Sequence, residues 1–233
     1  MRIEVSLSPA LYPYRTLTEH HTTVAIDVLR ATTAICAAFQ AGCIEVVPLD
    51  NLEALEVYQP LGYHLAAERN GEKVAGAEYG NSPTEYLRYN LAGQRIAYST
   101  TNGTISILRA ADADLTLVGA FANIHALAAR LQRDAQDVVL LCSGWKNDFC
   151  LEDTLVAGAL IEALGNAAQP HGDAAAMASA LWKATNGDPL SYCANASHVL
   201  RLQRLGAEID IPFAFKQDTC PVVPVLKNGT LTL

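Results

Sequence analysis

The feature that most limits what this chain can fold into is a repeat in the order of its segments. Sliding the sequence by 72 residues lays 24–38 on 96–110 without a gap. Ala25/Ala97, Thr32/Thr104, Ile35/Ile107 and Ala38/Ala110 are then identical, and further along Val46/Val118, Asn51/Asn123, Ala54/Ala126 and Leu55/Leu127 coincide. Each copy reads as an apolar burst of strand length, a polar loop, a helix-period segment, a second burst and a second helix. Strands alternating with helices predict an α/β fold, a mostly parallel sheet flanked by helices. Two similar β-loop-α-β-α units are expected within it.

The first unit predicts a strand ending at 24–26, helix 33–41, strand 44–49, helix 52–58 and a short strand 63–67 running into the turn Glu68-Arg69-Asn70-Gly71. Ser82-Pro83-Thr84-Glu85 predicts a helix start, with serine as cap, proline first in the helix and glutamate reaching back. The second unit predicts strand 96–98, helix 104–111, strand 115–119 and helix 124–131. A third follows, with strand 138–142, a loop over 143–151 and a helix 154–164 behind Glu152-Asp153. Residues 165–172 read as a linker, 174–183 and 196–205 as helices, and the tail from 209 as short strands between Pro212, Pro221 and Pro224. One α/β domain over 1–233 is expected, with 167–233 as the stretch that would form a C-terminal subdomain.

Composition excludes whole classes. Hydrophobic residues make up 51% and charged ones 17%, which supplies a core and opposes disorder. With 16 basic against 24 acidic side chains the formal net charge is −8, a surface that repels nucleic acid. No apolar run approaches the roughly 18–20 residues that cross a bilayer, and the first residues lack the apolar core of a signal peptide. Six cysteines without a CxxC pair read as free thiols. A cytoplasmic protein without membrane contact is expected.

In an open parallel sheet, ligands bind beyond the carboxyl ends of the strands. Here those ends carry 27–33, Glu68-Arg69, Ser99 to Thr104, and Ser143-Gly144 through Glu152-Asp153. Asp27 is either a metal ligand or base, or an Asx-turn acceptor. Arg30 can grip an oxyanion with two parallel hydrogen bonds or serve a surface ion pair. Thr32 and Thr33 read as helix caps. Thr100, Thr101, Asn102, Gly103 and Thr104 suit a loop baring backbone N–H groups to an anion. Ser82, beside Asn81, is already explained by its capping box. Glu152 and Asp153 either stabilise the positive end of their helix or bind Mg²⁺, which takes one or two carboxylates plus water and phosphate. If the loops after the first and third units meet, Asp27 and Glu152 or Asp153 share one ion, the other acid positioning water. The six histidines show no metal-ligand spacing, and His20-His21 reads as a solvated pair. Cys142 and Cys150 flank the Ser143-Gly144-Trp145 turn, so a nucleophilic thiol is conceivable, though a buried apolar thiol is commoner. The P-loop and GxGxxG patterns are absent, as are the signatures of the cysteine and aspartate phosphatases.

Asp27-Val28-Leu29-Arg30-Ala31-Thr32-Thr33, Gly80-Asn81-Ser82-Pro83, Thr100-Thr101-Asn102-Gly103-Thr104 and Cys142-Ser143-Gly144 with Leu151-Glu152-Asp153 resemble, in that order, the 2-phosphosulfolactate phosphatase family. The match continues more loosely into the tail, including Asp210 and Asp218. The resemblance implies a Mg²⁺-dependent, cytoplasmic, homodimeric enzyme that converts 2-phospho-3-sulfolactate to sulfolactate and phosphate in coenzyme M biosynthesis. Some members occur in bacteria not expected to make coenzyme M, so a related phosphorylated acid is also open. Asp27, Glu152 and Asp153 would then be catalytic and metal-binding, with Asp153 orienting the attacking water or Asp27 carrying a phosphoryl intermediate. Arg30, Arg69 and Lys146 would supply local cations for an anionic substrate, alongside Asn81, Ser82, Gly144 and the amides of 100–104. Two other readings stand beside it: a cysteine hydrolase with Cys150 as nucleophile and Asp27 as partner, and a non-catalytic anion-binding module.

Overall fold

The computed structural model describes residues 1–233. It opens with β1 (Arg2–Ser6), β2 (His21–Ile26), α1 (Ala31–Gln40), β3 (Glu45–Leu49), α2 (Glu53–Tyr58), β4 (His64–Arg69), the short β5 (Glu72–Lys73) and α3 (Pro83–Tyr86). Then come β6 (Arg95–Ser99), α4 (Gly103–Arg109), β7 (Leu115–Gly119), α5 (Ile124–Asp134), β8 (Asp137–Cys142) and α6 (Leu151–Leu164). The remainder holds β9 (Gln169–Pro170), α7 (Asp173–Ala184), α8 (Pro189–Tyr192), α9 (Ser197–Arg204), α10 (Asp210–Ala214), β10 (Val225–Lys227) and β11 (Thr230–Thr232).

All eleven strands join one sheet in the order β5-β4-β6-β3-β11-β10-β7-β2-β8-β1-β9. The repeat is visible in that order, and it extends to β4 and β8. The two units exchange their first strands. β2 of the first lies between β7 and β8 of the second, and β6 of the second between β3 and β4 of the first, all in parallel. Neither unit can complete its sheet without the other. The C-terminal hairpin β10–β11 fills the seam, antiparallel to β7 on one side and to β3 on the other. The two parallel halves therefore run in opposite senses across it.

The exchanged strands are the most buried. Every residue of β2 is buried, and so is every residue of α1 up to Phe39. The larger apolar cluster gathers β1, β2, β8, α5, α6 and α7, and the second packs α1 against β3, β6 and α4. Burying a single Leu or Ile contributes about 1.5–3 kcal/mol, and β2, with Val24 and Ile26 in the first cluster and Ala25 in the second, ties both into one cooperative body.

Local signals held where their chemistry was complete. Ser82 caps α3 and accepts the Glu85 N–H at 3.3 Å, with Pro83 first in the helix. Four expectations need correction. Helix α6 starts at Leu151, so Glu152 and Asp153 lie inside its first turn rather than ahead of it. The tail from 209 begins as helix α10, in which Pro212 sits within the first turn where a missing N–H costs nothing. His21 is buried beside the Tyr12 hydroxyl and only His20 is exposed. Thr32 and Thr33 do not cap α1; Arg30 is its N-cap, and both hydroxyls donate back to the loop, to the carbonyls of Asp27 and Val28. All six cysteines are free and buried, and no helix is long and apolar enough to cross a membrane.

Candidate active site

The units meet at their equivalent helix starts, Ala31 of α1 and Gly103 of α4. A Cβ on Gly103 would lie 2.3 Å from the Ala31 methyl and 2.8 Å from Asp27 Oδ2. Glycine is required there because two backbones and a carboxylate converge on one point. Each copy also ties its loop with the repeated threonine. Thr32 Oγ1 accepts the Asp27 N–H at 2.9 Å, and Thr104 Oγ1 accepts the Thr100 N–H at 3.1 Å. The β2 and β6 loops are thereby locked against each other, with the β8 loop beside the first and the β4 loop beside the second.

Asp27 stands at this junction, buried. Its Oδ1 accepts the Ala31 N–H at 3.3 Å, and Oδ2 carries no hydrogen bond within the protein. Burial, with Glu68 and Glu152 nearby, pushes its carboxyl up to about 6, against the pull of His198 and the Ala31 N–H. Asp153 is held differently. Its two oxygens accept the backbone N–H groups of Val28 at 2.9 Å and Gly144 at 3.0 Å. Burial, then Glu152 and Asp27, push its carboxyl well above the usual carboxylate range. Asp153 thus pins the Asp27 loop to the Trp145 turn. Glu152, equally buried, hydrogen-bonds His198 Nδ1 at 2.9 Å through Oε1.

A narrow cleft opens over Asp27. Of the residues expected from sequence, Arg30, Asn81 and Asn102 also line it. Arg30 is already spoken for: its guanidinium donates to Asp210 Oδ2 at 2.8 Å and to the Gly71 carbonyl at 2.6 Å. Asn81 accepts the Tyr98 hydroxyl. Other expected residues stand back from the cleft. Ser82 donates to Asp210 Oδ1 at 2.6 Å, and Arg69 donates to the Glu68 carbonyl and to Ser99 Oγ. Lys146 is exposed, its Nζ 5.5 Å from the Trp145 ring. Three of the five N–H groups in the 100–104 loop are spent within the protein. Thr100 and Thr104 bond each other, and the Thr101 N–H goes to Glu68 Oε2 at 3.2 Å. Gly144, with φ +60, has the Asp148 carbonyl 2.1 Å from where a Cβ would sit. It shapes the turn.

Among the lining residues not foreseen as site residues, four carry charge or an aromatic ring: Glu68, Trp145, His198 and Arg201. Arg201 stacks on the Trp145 ring at 3.6 Å and forms no ion pair, and burial draws its guanidinium down. His198 lies 5.5 Å from the same ring. His198 and Arg201 are three apart on α9, a spacing that puts both on one helix face; that was the available signal. Asp210, the hub for Arg30, Ser82 and Thr84, is a further omission. Burial, then the nearby Asp153, Glu152 and Asp27, push the Cys150 thiol far up, the reverse of what activates a nucleophile.

A single cleft with buried acids, one unpaired guanidinium and a carboxylate-oriented imidazole is the furnishing of a hydrolase for an anionic substrate. The family model described as 2-phosphosulpholactate phosphatase matches residues 7–229. The chain belongs to that family. Among its relatives, one from Synechococcus sp. (strain JA-3-3Ab) is 40% identical, the alignment covering 90% of each chain. One from Gloeobacter violaceus is 38% identical over 96% of this chain and 94% of its own. A third, from Caldanaerobacter subterraneus subsp. tengcongensis, is 35% identical over 88% of each. All three carry the name probable 2-phosphosulfolactate phosphatase. The family match thus spans both units and β10, the first strand of the hairpin that joins them.

Proposed function

We propose that the protein is a Mg²⁺-dependent phosphatase that hydrolyses 2-phospho-3-sulfolactate, or a similar small phosphorylated acid, to the hydroxy acid and phosphate. The carrying observation is the charge arrangement over Asp27. The partnerless Oδ2 of a buried carboxylate sits near Glu68 and Glu152, while Arg201, without an ion pair, faces the same cleft. An acidic pocket of this kind admits a multiply charged anion only together with a cation.

The residues fit Mg²⁺. Its preferred donors are hard oxygens, usually one or two carboxylates, and Asp27 and Glu152 are the acids with oxygens to spare. Ser143, whose N–H bonds the Ile26 carbonyl below the Asp27 loop, keeps a buried Oγ without a partner. When bound, the ion neutralises charge on the phosphoryl group and lowers the pKa of bound water. Arg201, held flat on Trp145, grips the substrate's acid group with two parallel N–H donors. Arg30, fixed by Asp210, contributes field rather than a free fork. Glu152 holds His198 by Nδ1, which leaves Nε2 to take the proton of the attacking water. Asp153 keeps the Asp27 and Trp145 loops in register.

Cytoplasmic location, homodimeric assembly and a place in coenzyme M biosynthesis belong to the same reading, supported by the family resemblance. A phosphate-release screen over phosphorylated hydroxy acids, with and without Mg²⁺, tests it. Turnover of phosphosulfolactate or a close analogue only with Mg²⁺ is expected, and metal-independent release would overturn the cation requirement. Single-turnover reaction quenched with borohydride, which reduces an aspartyl phosphate to homoserine, followed by protein mass analysis, separates direct attack from a phosphoenzyme: reduction at position 27 rules out direct attack.

A further inference from the structure

We propose that Cys150, Glu152 and His198 form a site for one soft divalent cation of the Zn²⁺ class. One donor atom from each residue lies within 4.8 Å of the others; Cys150 and Glu152 are buried and His198 is half-buried. A thiol, a carboxylate and an imidazole around an open fourth position is a zinc-type donor set, whereas Mg²⁺ takes oxygen. The elements aim these side chains together. Cys150 is the extended N-cap of α6, Glu152 lies in that helix's first turn, and His198 enters from the first turn of α9.

The geometry needs only small adjustments. Donors about 2.0–2.3 Å from a tetrahedral ion lie roughly 3.3–3.8 Å from one another. His198 Nδ1 and Glu152 Oε1 stand at 2.9 Å, so that pair opens slightly while the widest pair closes by about 1 Å. Of the three, His198 also lines the cleft. The charge also balances. The Cys150 thiol loses its proton to solvent as the S–Zn bond forms, and thiolate plus carboxylate then neutralise the dication.

On the phosphatase reading, and resting on it, this makes Zn²⁺ an inhibitor. The ion takes Glu152 and His198 away from Mg²⁺ and the attacking water, and a substrate phosphate in its open position traps the enzyme.

Co²⁺ added to the metal-free protein is the probe. The expected result is one bound ion per chain with an intense near-ultraviolet thiolate-to-cobalt band, displaced by Zn²⁺. In Cys150→Ser, checked by circular dichroism and melting temperature, the band disappears. Zn²⁺ affinity should fall by at least the roughly 10–100-fold that losing a supporting partner costs at metal sites. His198→Gln loses affinity likewise and decides the matter if the serine variant does not fold. A Co²⁺ complex without the thiolate band, or a Cys150→Ser protein that binds Zn²⁺ as tightly as its parent, overturns the site. Phosphate release supplies the separate arm. Cys150→Ser keeps its Mg²⁺-supported rate and loses its sensitivity to Zn²⁺. Equal Zn²⁺ sensitivity in parent and variant overturns the inhibitory role. Absence of phosphate release in both overturns the phosphatase reading and leaves the cobalt spectrum to decide the site.

Discussion

Asp27 should hold the protein below its attainable stability, and replacing its charge should reveal how far. Its carboxyl titrates at about 6 in the fold, against about 3.9 in an unfolded chain. The folded state therefore binds this proton more tightly than the unfolded state does. Protonated, below about pH 4, the group costs nothing. As the pH rises from about 4 through 6 the folded state loses stability relative to the unfolded one, and the loss is complete at neutral pH. Two pKa units correspond to about 3 kcal/mol. Asp27→Asn keeps the shape and the Oδ1 acceptor for Ala31 while removing the charge. In chelator at pH 7.5 the variant should be more stable by up to about 3 kcal/mol, or roughly 6–12 °C in melting temperature for a domain of this size. The new amide lacks a ready acceptor, which takes back part of that gain, on the order of 1 kcal/mol. Thermal unfolding followed by circular dichroism at pH 7.5 and pH 4.5 measures it. The gain should shrink towards zero at the lower pH, and Mg²⁺ should raise the melting temperature of the parent but not of the variant. A variant no more stable than its parent at pH 7.5, or equally stabilised at both pH values, would falsify the assignment of strain to this charge.

The remaining expectations follow from the same junction. Gly103→Ala places a methyl against Ala31 and Asp27 Oδ2; it should cost about 1–3 kcal/mol as overpacking and depress phosphate release more than tenfold with every polar group still present, as denaturant melts and turnover assays will show. Removing the charge in Asp210→Ala leaves the Arg30 guanidinium buried without its partner, and about 3–5 kcal/mol of stability should go with it, measured by urea unfolding; a loss below about 1 kcal/mol, the size of an exposed pair, would show that the Gly71 carbonyl alone satisfies Arg30. Arg201→Ala should raise KM for a doubly acidic substrate by about tenfold or more, the equivalent of one charge-assisted hydrogen bond, while the melting temperature stays close to that of the parent. An unchanged KM would remove Arg201 from substrate binding.

What the sequence revealed, and what it concealed, divides along the repeat. Within 24–142 every expected strand and helix is present, because each copy carries its own punctuation: an apolar burst, a threonine-tied loop, then a helix-period segment. The seam was illegible. Nothing in Val225-Leu226-Lys227 and Thr230-Leu231-Thr232 says that this hairpin is inserted between β3 and β7, since an edge hairpin and a seam-filling one share a local pattern. Proline at 212 looked like a strand separator because its tolerance in a first helical turn depends on where the helix starts.

The site divides in the same way. Asp27, Arg30 and Asn102 were found because strand-end loops are where α/β proteins place ligands, and Asn81 through the family resemblance. His198, Arg201 and Asp210 were not, because they come from helices outside the repeat and meet their partners across 46 residues for Glu152 and 180 for Arg30. Read alone, Ser-His-Val-Leu-Arg-Leu-Gln-Arg is an ordinary amphipathic helix with Val199 and Leu202 inward. Only the position of α9 over Trp145 turns its second face into the wall of a cleft. That has a consequence for how the site is built. The repeat supplies the floor, Asp27 and the glycine junction, whereas the groups that discriminate one anion from another arrive from the later segment. Floor and wall are joined through His198 to Glu152, Arg201 to Trp145 and the inward Val199 and Leu202, so substitutions at Arg201 can retune which acid is accepted while His198 stays bound to the chemistry beneath it.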